Sequence, residues 1–319
     1  MKNILLIGDS IRMGYDKAVQ KALEGKANVY FPEENCRFAA YLLRNLHEYK
    51  NLIPEGDADV IHWNAGLWDC QRLFEEEPNT PVEIYAYYIE RICRRIKKVY
   101  PNARVIFATS TCLLGEPDEA YYKRYNEDVE KYNETAVAIM EQYGIAVNDL
   151  HALSKTLPKE AHSDPIHYYT PLGTEAFADQ VLSYIMPALE LSEERFLRRT
   201  LVNSYLGRTV KISIDRPLGS THPEYGELCY PVNYGFIPNV LGNDGEEQDV
   251  YLLGVEMPVK EYTAQIIGIV HRHNDIEDKL IAAPVGTAFT AEEVAAAVAF
   301  QERYYDSEIQ LLPSLQRIL

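Results

Sequence analysis

From residue 1 to about 190, short apolar runs alternate with longer stretches whose apolar positions recur every three or four residues. This alternation predicts a parallel sheet with helices on both faces, an α/β unit. Strands are expected at 3–7, 27–31, 59–63, 104–109 and 145–148, each followed by a polar or glycine-containing turn. The clearest helices are expected at 81–100, 119–143 and 171–188. Thr80-Pro81 and Thr170-Pro171 open the first and last with a capping hydroxyl and a preset first turn.

A charged and then polar stretch at about 189–207 follows, and beyond it β-branched runs are separated by Gly, Pro and Asn turns. Strands at 209–214, 248–254 and 264–271, with a capped helix at 290–304, predict a small, mainly-β barrel with a C-terminal helix. The chain therefore reads as two domains, 1–190 and 207–319, joined by a linker at 191–206. Its 319 residues are enough to bury a core in each.

Charge narrows the partners. There are 48 Asp and Glu against 31 Lys and Arg, a net charge of −17 that repels phosphodiester backbones and anionic membranes. Neither nucleic acid nor membrane is expected as a partner, and homo-oligomerisation is left open. The basic run at 91–98 carries Ile92, Cys93 and Ile96 at helical spacing and reads as one solvated helix face. Five cysteines, at 36, 70, 93, 112 and 229, contain no C-x-x-C pair and fit a reducing cytoplasm. The apolar stretch 4–7 is too short for a secretory or membrane segment and reads as a buried first strand.

Three elements of candidate chemistry fall in the first domain. Gly8-Asp9-Ser10 follows the first strand, at the carboxyl edge of the sheet where open α/β folds bind ligands. Asp164 and His167 stand three positions apart before a helix, a spacing that lets the carboxylate orient the imidazole. A serine hydroxyl needs such a base to become a nucleophile. Asn64, after the third strand, supplies an amide that can donate to an oxyanion, as can the Ser10 backbone N–H. Each triplet alone also reads as an ordinary turn or cap.

Together these residues resemble the SGNH/GDSL hydrolase superfamily: Gly8-Asp9-Ser10 matches its serine block, 64–69 its asparagine block and 164–167 its D-x-x-H block. The segment 33–38 resembles the glycine block but carries Cys36 where glycine is expected. The resemblance implies a doubly wound, flavodoxin-like sheet and a cofactor-independent serine esterase. Ser10, Asp164 and His167 are then catalytic, and Ser10, Cys36 and Asn64 form the oxyanion hole. A short acyl group, acetyl on a carbohydrate or another small soluble ester, is the implied substrate class. Arg12, Arg37 and Trp68 are candidate substrate contacts. Trp63 and Tyr15 are further candidate stacking faces, although aromatic side chains are more often core.

The second domain carries Tyr230-Pro231-Val232-Asn233-Tyr234, then Asp244-Gly245-Glu246 with Asp249, then Glu277-Asp278-Lys279. This resembles a reduced family I inorganic pyrophosphatase. The resemblance implies Mg2+ held by Asp244, Glu246 and Asp249, and phosphate held by Lys211, Tyr230, Tyr234, Lys279 and Tyr304. Several positions depart from that pattern. Glu246 and Glu277 replace aspartates, Ser213 replaces an acid, Tyr305 replaces a lysine, and Arg272-His273-Asn274 interrupts the second acidic cluster. By residues alone, 243–249 is also an ordinary hairpin turn. Three readings follow: a serine esterase with an accessory barrel, a bifunctional enzyme with metal-dependent phosphohydrolase activity, and a binding protein with two degenerate domains.

Overall fold

A computed structural model describes residues 1–54, 57–74, 76–115, 122–223, 225–226, 228–242 and 244–312. The start of the helix expected at 119–143, Asn243 of the expected hairpin and the tail 313–319 lie outside the described residues. The chain forms two compact units that divide between Phe196 and Leu197. The stretch expected as a linker contains a helix, Glu193–Asn203.

The first unit is built on a parallel five-stranded sheet. Its strands are β1 (Lys2–Ile7), β2 (Ala27–Tyr30), β3 (Val60–Trp63), β4 (Arg104–Ala108) and β5 (Ala146–Asn148), in the order β2-β1-β3-β4-β5. This is the doubly wound order expected, and each strand lies within one residue of its expected bounds. The short apolar run Ile4–Ile7 is wholly buried because β1 is covered on both faces. Removing each such side chain from water contributes about 1.5–3 kcal/mol.

Helices α1 (Ser10–Ala22), α2 (Ala39–Asn45), α3 (Val82–Val99), α4 (Asn126–Tyr143), α5 (Leu150–Thr156) and α6 (Pro171–Glu190) fill the connections. They pack in two groups, α1 with α6 and α3 with α2 and α4. In α3, Tyr85, Ile89, Ile92, Cys93 and Ile96 form the buried stripe, so the basic run is the outer face of an amphipathic helix. Helix α4 starts later than expected, since Tyr122–Lys123 is a short strand paired with Arg72–Leu73. The strand order reverses at β1, which leaves a crevice beyond the ends of β1 and β3. Ser10 and Asn64 both lie at that edge.

The second unit is a closed five-stranded barrel. Its strands are β6 (Thr209–Arg216), β7 (Asn233–Leu241), β8 (Glu247–Leu252), β9 (Glu261–Arg272) and β10 (Lys279–Ala283), with β11 (Ser307–Leu311) paired to β9. Helix α7 (Glu193–Asn203) precedes it, and α8 (Ala291–Glu302) opens with a capping box between Thr290 and Glu293. Strand β7 was hidden in the sequence by Gly235 and Pro238. The β7–β8 register shifts between Glu247 and Asp249, and Pro238 sits in the resulting irregularity, beside Asn239 at φ 63°. A residue without an N–H costs no ladder bond there.

Candidate active site

The end of β1 sets the first group. Asp9 caps α1, accepting from the Ile11 N–H at 2.9 Å, and Ser10 is the first helical residue. A first-turn N–H has no partner within its helix. Burial pushes the Asp9 carboxyl above its ordinary range, opposed by hydrogen bonds from the Asn64 amide and Ile11 N–H. Gly8 is required by this packing, since a β-carbon there would lie 1.8 Å from the Asn64 amide oxygen.

The second group sits on the loop before α6. Asp164 Oδ1 accepts from the N–H groups of Ile166 and His167, both at 2.8 Å, and so folds the loop on itself. Its other oxygen lies 2.8 Å from His167 Nδ1, and His167 Nε2 lies 2.8 Å from Ser10 Oγ. A carboxylate only accepts, so Nδ1 carries the proton and Nε2 accepts from the serine hydroxyl. Partial burial alone would raise the Asp164 pKa, but the two N–H groups and the imidazole hold it below the usual carboxylate range. The sequence placed these residues 157 positions apart, and the fold joins them in one hydrogen-bonded chain.

The other sequence candidates divide. Asn64 is buried beside Gly8 and Asp9. The expectation for Cys36 as an oxyanion donor is corrected: its N–H donates to the Gly8 carbonyl at 3.1 Å, and its buried sulfur accepts from the Tyr49 hydroxyl. The glycine-like conformation of this loop falls one residue later, on Arg37 at φ 51°. Arg12 as a substrate contact is also corrected. It is 1% exposed, paired with Asp16 and bonded to the Glu34 carbonyl at 2.7 Å, so burial keeps it from a ligand in the crevice.

Arg37 is exposed, 5.1 Å from the Tyr41 ring, with no carboxylate partner among the described residues. Trp68 is half-buried under the guanidinium of Arg124, which also donates to the Leu67 carbonyl. Trp63 and Tyr15 are buried core rings, Trp63 packed edge-on to Phe107. Sequence reasoning missed Arg124, and it missed Tyr169, whose ring stacks on His167.

In the barrel the acidic residues meet cations of the chain itself. Lys279 is buried and paired with both Asp249 and Glu277. Burial opposes the charge on Lys279, but those two carboxylates hold its ammonium above the ordinary range. Buried Arg272 takes Glu302 in a two-point bond, with Asp275 on its other side and the Tyr305 ring 3.7 Å away. Asp244 is folded onto the Glu246 N–H at 2.9 Å.

Among the described residues no group of three or more His, Cys, Asp or Glu side chains is arranged to hold a metal. Of the expected Mg2+ set Asp244, Glu246 and Asp249, the third carboxylate is paired with the Lys279 ammonium, which it shares with Glu277. A hard cation needs several free oxygens, and these residues do not fit one. Of the expected phosphate groups, Lys211 is exposed and paired with Glu261 at 2.8 Å. Tyr230 and Tyr234 are buried in an aromatic cluster with Tyr251, while Tyr304 is 64% exposed and accepts from Arg303.

Residues 203–306 match the inorganic pyrophosphatase family model. Curated relatives include inorganic pyrophosphatases of Saccharolobus solfataricus, 42% identical over 77 residues, and Helicobacter pylori, 31% identical over 83 residues. These alignments cover 23% and 24% of this chain and 41% and 48% of the relatives. The chain thus spans about half the length of the curated relatives it matches.

Among solved structures, a lipase/acylhydrolase from Enterococcus faecalis is similar, with 16% identity and a TM-score of 0.47, covering 60% of this chain and 98% of that one. An acetyl xylan esterase has 15% identity and a TM-score of 0.45 over 57% of this chain and 99% of its own. The inorganic pyrophosphatase of Ehrlichia chaffeensis has 19% identity and a TM-score of 0.28, covering 35% of this chain and 92% of its own.

Proposed function

We propose that the first unit is a serine esterase that hydrolyses short-chain carboxylic esters through an acyl-Ser10 intermediate. The observation that carries this reading is the unbroken chain Ser10 Oγ to His167 to Asp164, with 2.8 Å at each link. Ser10 Oγ attacks the ester carbonyl while His167 Nε2 takes its proton. Asp164 holds the tautomer and stabilises the imidazolium. The carbonyl oxygen becomes an oxyanion, met by the Ser10 N–H and the Asn64 amide, donors worth about 2.7–4 kcal/mol each. On collapse His167 returns the proton to the departing alcohol. Water, deprotonated by His167, then releases the acid and restores Ser10. No metal takes part in these steps, and no metal-dependent step is assigned to the barrel.

Preference for a small acyl group, acetyl on a carbohydrate or another small soluble ester, rests on the resemblance. Exposed Arg37 and half-buried Trp68 are the side chains offered for substrate contact. The test is hydrolysis of p-nitrophenyl acetate and octanoate by the purified chain without added metal. The acetyl ester is expected to turn over faster, and Ser10→Ala to abolish turnover of both. Equal turnover by the Ser10→Ala protein overturns the assignment.

A further inference from the structure

Resting on that esterase reading, we infer that Tyr169 is a positioning residue that clamps the His167 imidazole over Ser10. Three contacts converge on it. Its ring stacks on the imidazole, with centroids 4.7 Å apart and planes inclined by 24°. Its hydroxyl donates to the Ser10 backbone carbonyl at 2.7 Å. Its ring also lies against the first turns of α1, where a β-carbon on Gly14 would stand 2.8 Å from the ring atoms.

The loop bearing the imidazole is thus tied directly to the backbone of the nucleophile, independently of the bond between them. Tyr168 holds the same loop from the other side, packing edge-on to Phe177 and donating to the Cys112 carbonyl at 2.8 Å. His167 and Asp164 both retain solvent exposure, 24% and 45% of their side chains, so the imidazole is not fixed by burial. A ring on one face removes the freedom to rotate away from Ser10. When His167 takes the serine proton, the same π face lies against an imidazolium and favours that charged state. Gly14 fits this role: glycine within a helix is destabilising relative to alanine, and here the space of its side chain is filled by Tyr169.

The test uses the full chain and a set of its variants. Tyr169→Leu is expected to lower kcat by about tenfold to a hundredfold, the scale of an ångström-level misplacement, with KM changed less than twofold. Tyr169→Phe keeps the stack and is expected to retain most of kcat. Gly14→Ala, which pushes the ring outward without altering it, is expected to reproduce the Tyr169→Leu defect. In the His167→Ala background, Tyr169→Leu is expected to have no further effect.

A readout without turnover is the ring-current shift of the His167 Cε1 proton, expected upfield in the parent and in Ser10→Ala and lost in Tyr169→Leu. Unchanged kcat in Tyr169→Leu, a loss confined to KM, or a His167 proton at its unstacked position overturns the inference. A parent protein that shows the stacked shift but hydrolyses no ester overturns the esterase reading and, with it, the positioning role.

Discussion

The two polar clusters of this chain use the same kinds of side chain to opposite ends. At the edge of the parallel sheet a carboxylate, an imidazole and a hydroxyl are linked in a row, and the row ends on Ser10 at the head of α1. In the barrel the carboxylates are closed off: Asp249 and Glu277 by Lys279, Glu302 and Asp275 by Arg272. A row with an open end can pass a proton to an incoming group. In the barrel each buried cation holds two carboxylates, because leaving a buried charge unpaired in a low-dielectric interior is costly.

The sharpest way to break this contrast is at the open end. Ser10→Ala is expected to lower kcat/KM for p-nitrophenyl acetate by about 10⁴-fold or more, measured at steady state. A second experiment attacks the closed cluster. Arg272→Met leaves Glu302 without its cation and is expected to destabilise the barrel by about 3–5 kcal/mol, read as a lower urea midpoint. A change under about 1 kcal/mol would mean that the buried pair is not held as described.

A smaller effect concerns Asp69, which follows Asn64 in the same segment and accepts from the Ala39 N–H at 3.0 Å. Burial pushes its carboxyl up to about 7, against the lowering effect of the Ala39 N–H and the Thr80 hydroxyl. Because the folded value is raised, the native state keeps a proton that the unfolded chain has lost. Between about pH 4, the unfolded value, and pH 7, stability therefore falls as pH rises, and it levels off above. Asp69→Asn is expected to flatten that slope in urea unfolding at pH 5 and 7. The smallest expected effect is none: millimolar Mg2+ should neither raise the thermal midpoint nor release phosphate from pyrophosphate. A midpoint raised by Mg2+ would show a cation bound to the native state and reopen the barrel as a metal site.

Legibility in the sequence followed the range of the interactions involved. The strands of the parallel sheet were visible because each is a short, mainly apolar run bounded by polar or turn residues. Asp164 and His167 were visible because their contact is made within one turn of loop. Strand β7 was not visible, since Gly235 and Pro238 read as turn residues until the register shift at 247–249 accommodates Pro238 and the close approach of the Ser213 backbone calls for Gly235. Helix 119–143 was drawn too long because the short pairing of 122–123 with 72–73 joins segments far apart in sequence.

Sequence by itself determined the alternation that makes the first unit a parallel α/β sheet, the edge on which Ser10 and Asn64 fall, and the local turn that orients His167. Tertiary structure decided which polar groups remain open. Arg12 turns inward to Asp16, the Cys36 N–H goes to Gly8, Tyr169 lies on His167, and Lys279 and Arg272 close the barrel's carboxylates. The physical reason is that a charge or an N–H will take whichever partner reaches it at hydrogen-bond distance, and most of these partners are brought there by strands and helices distant in the chain.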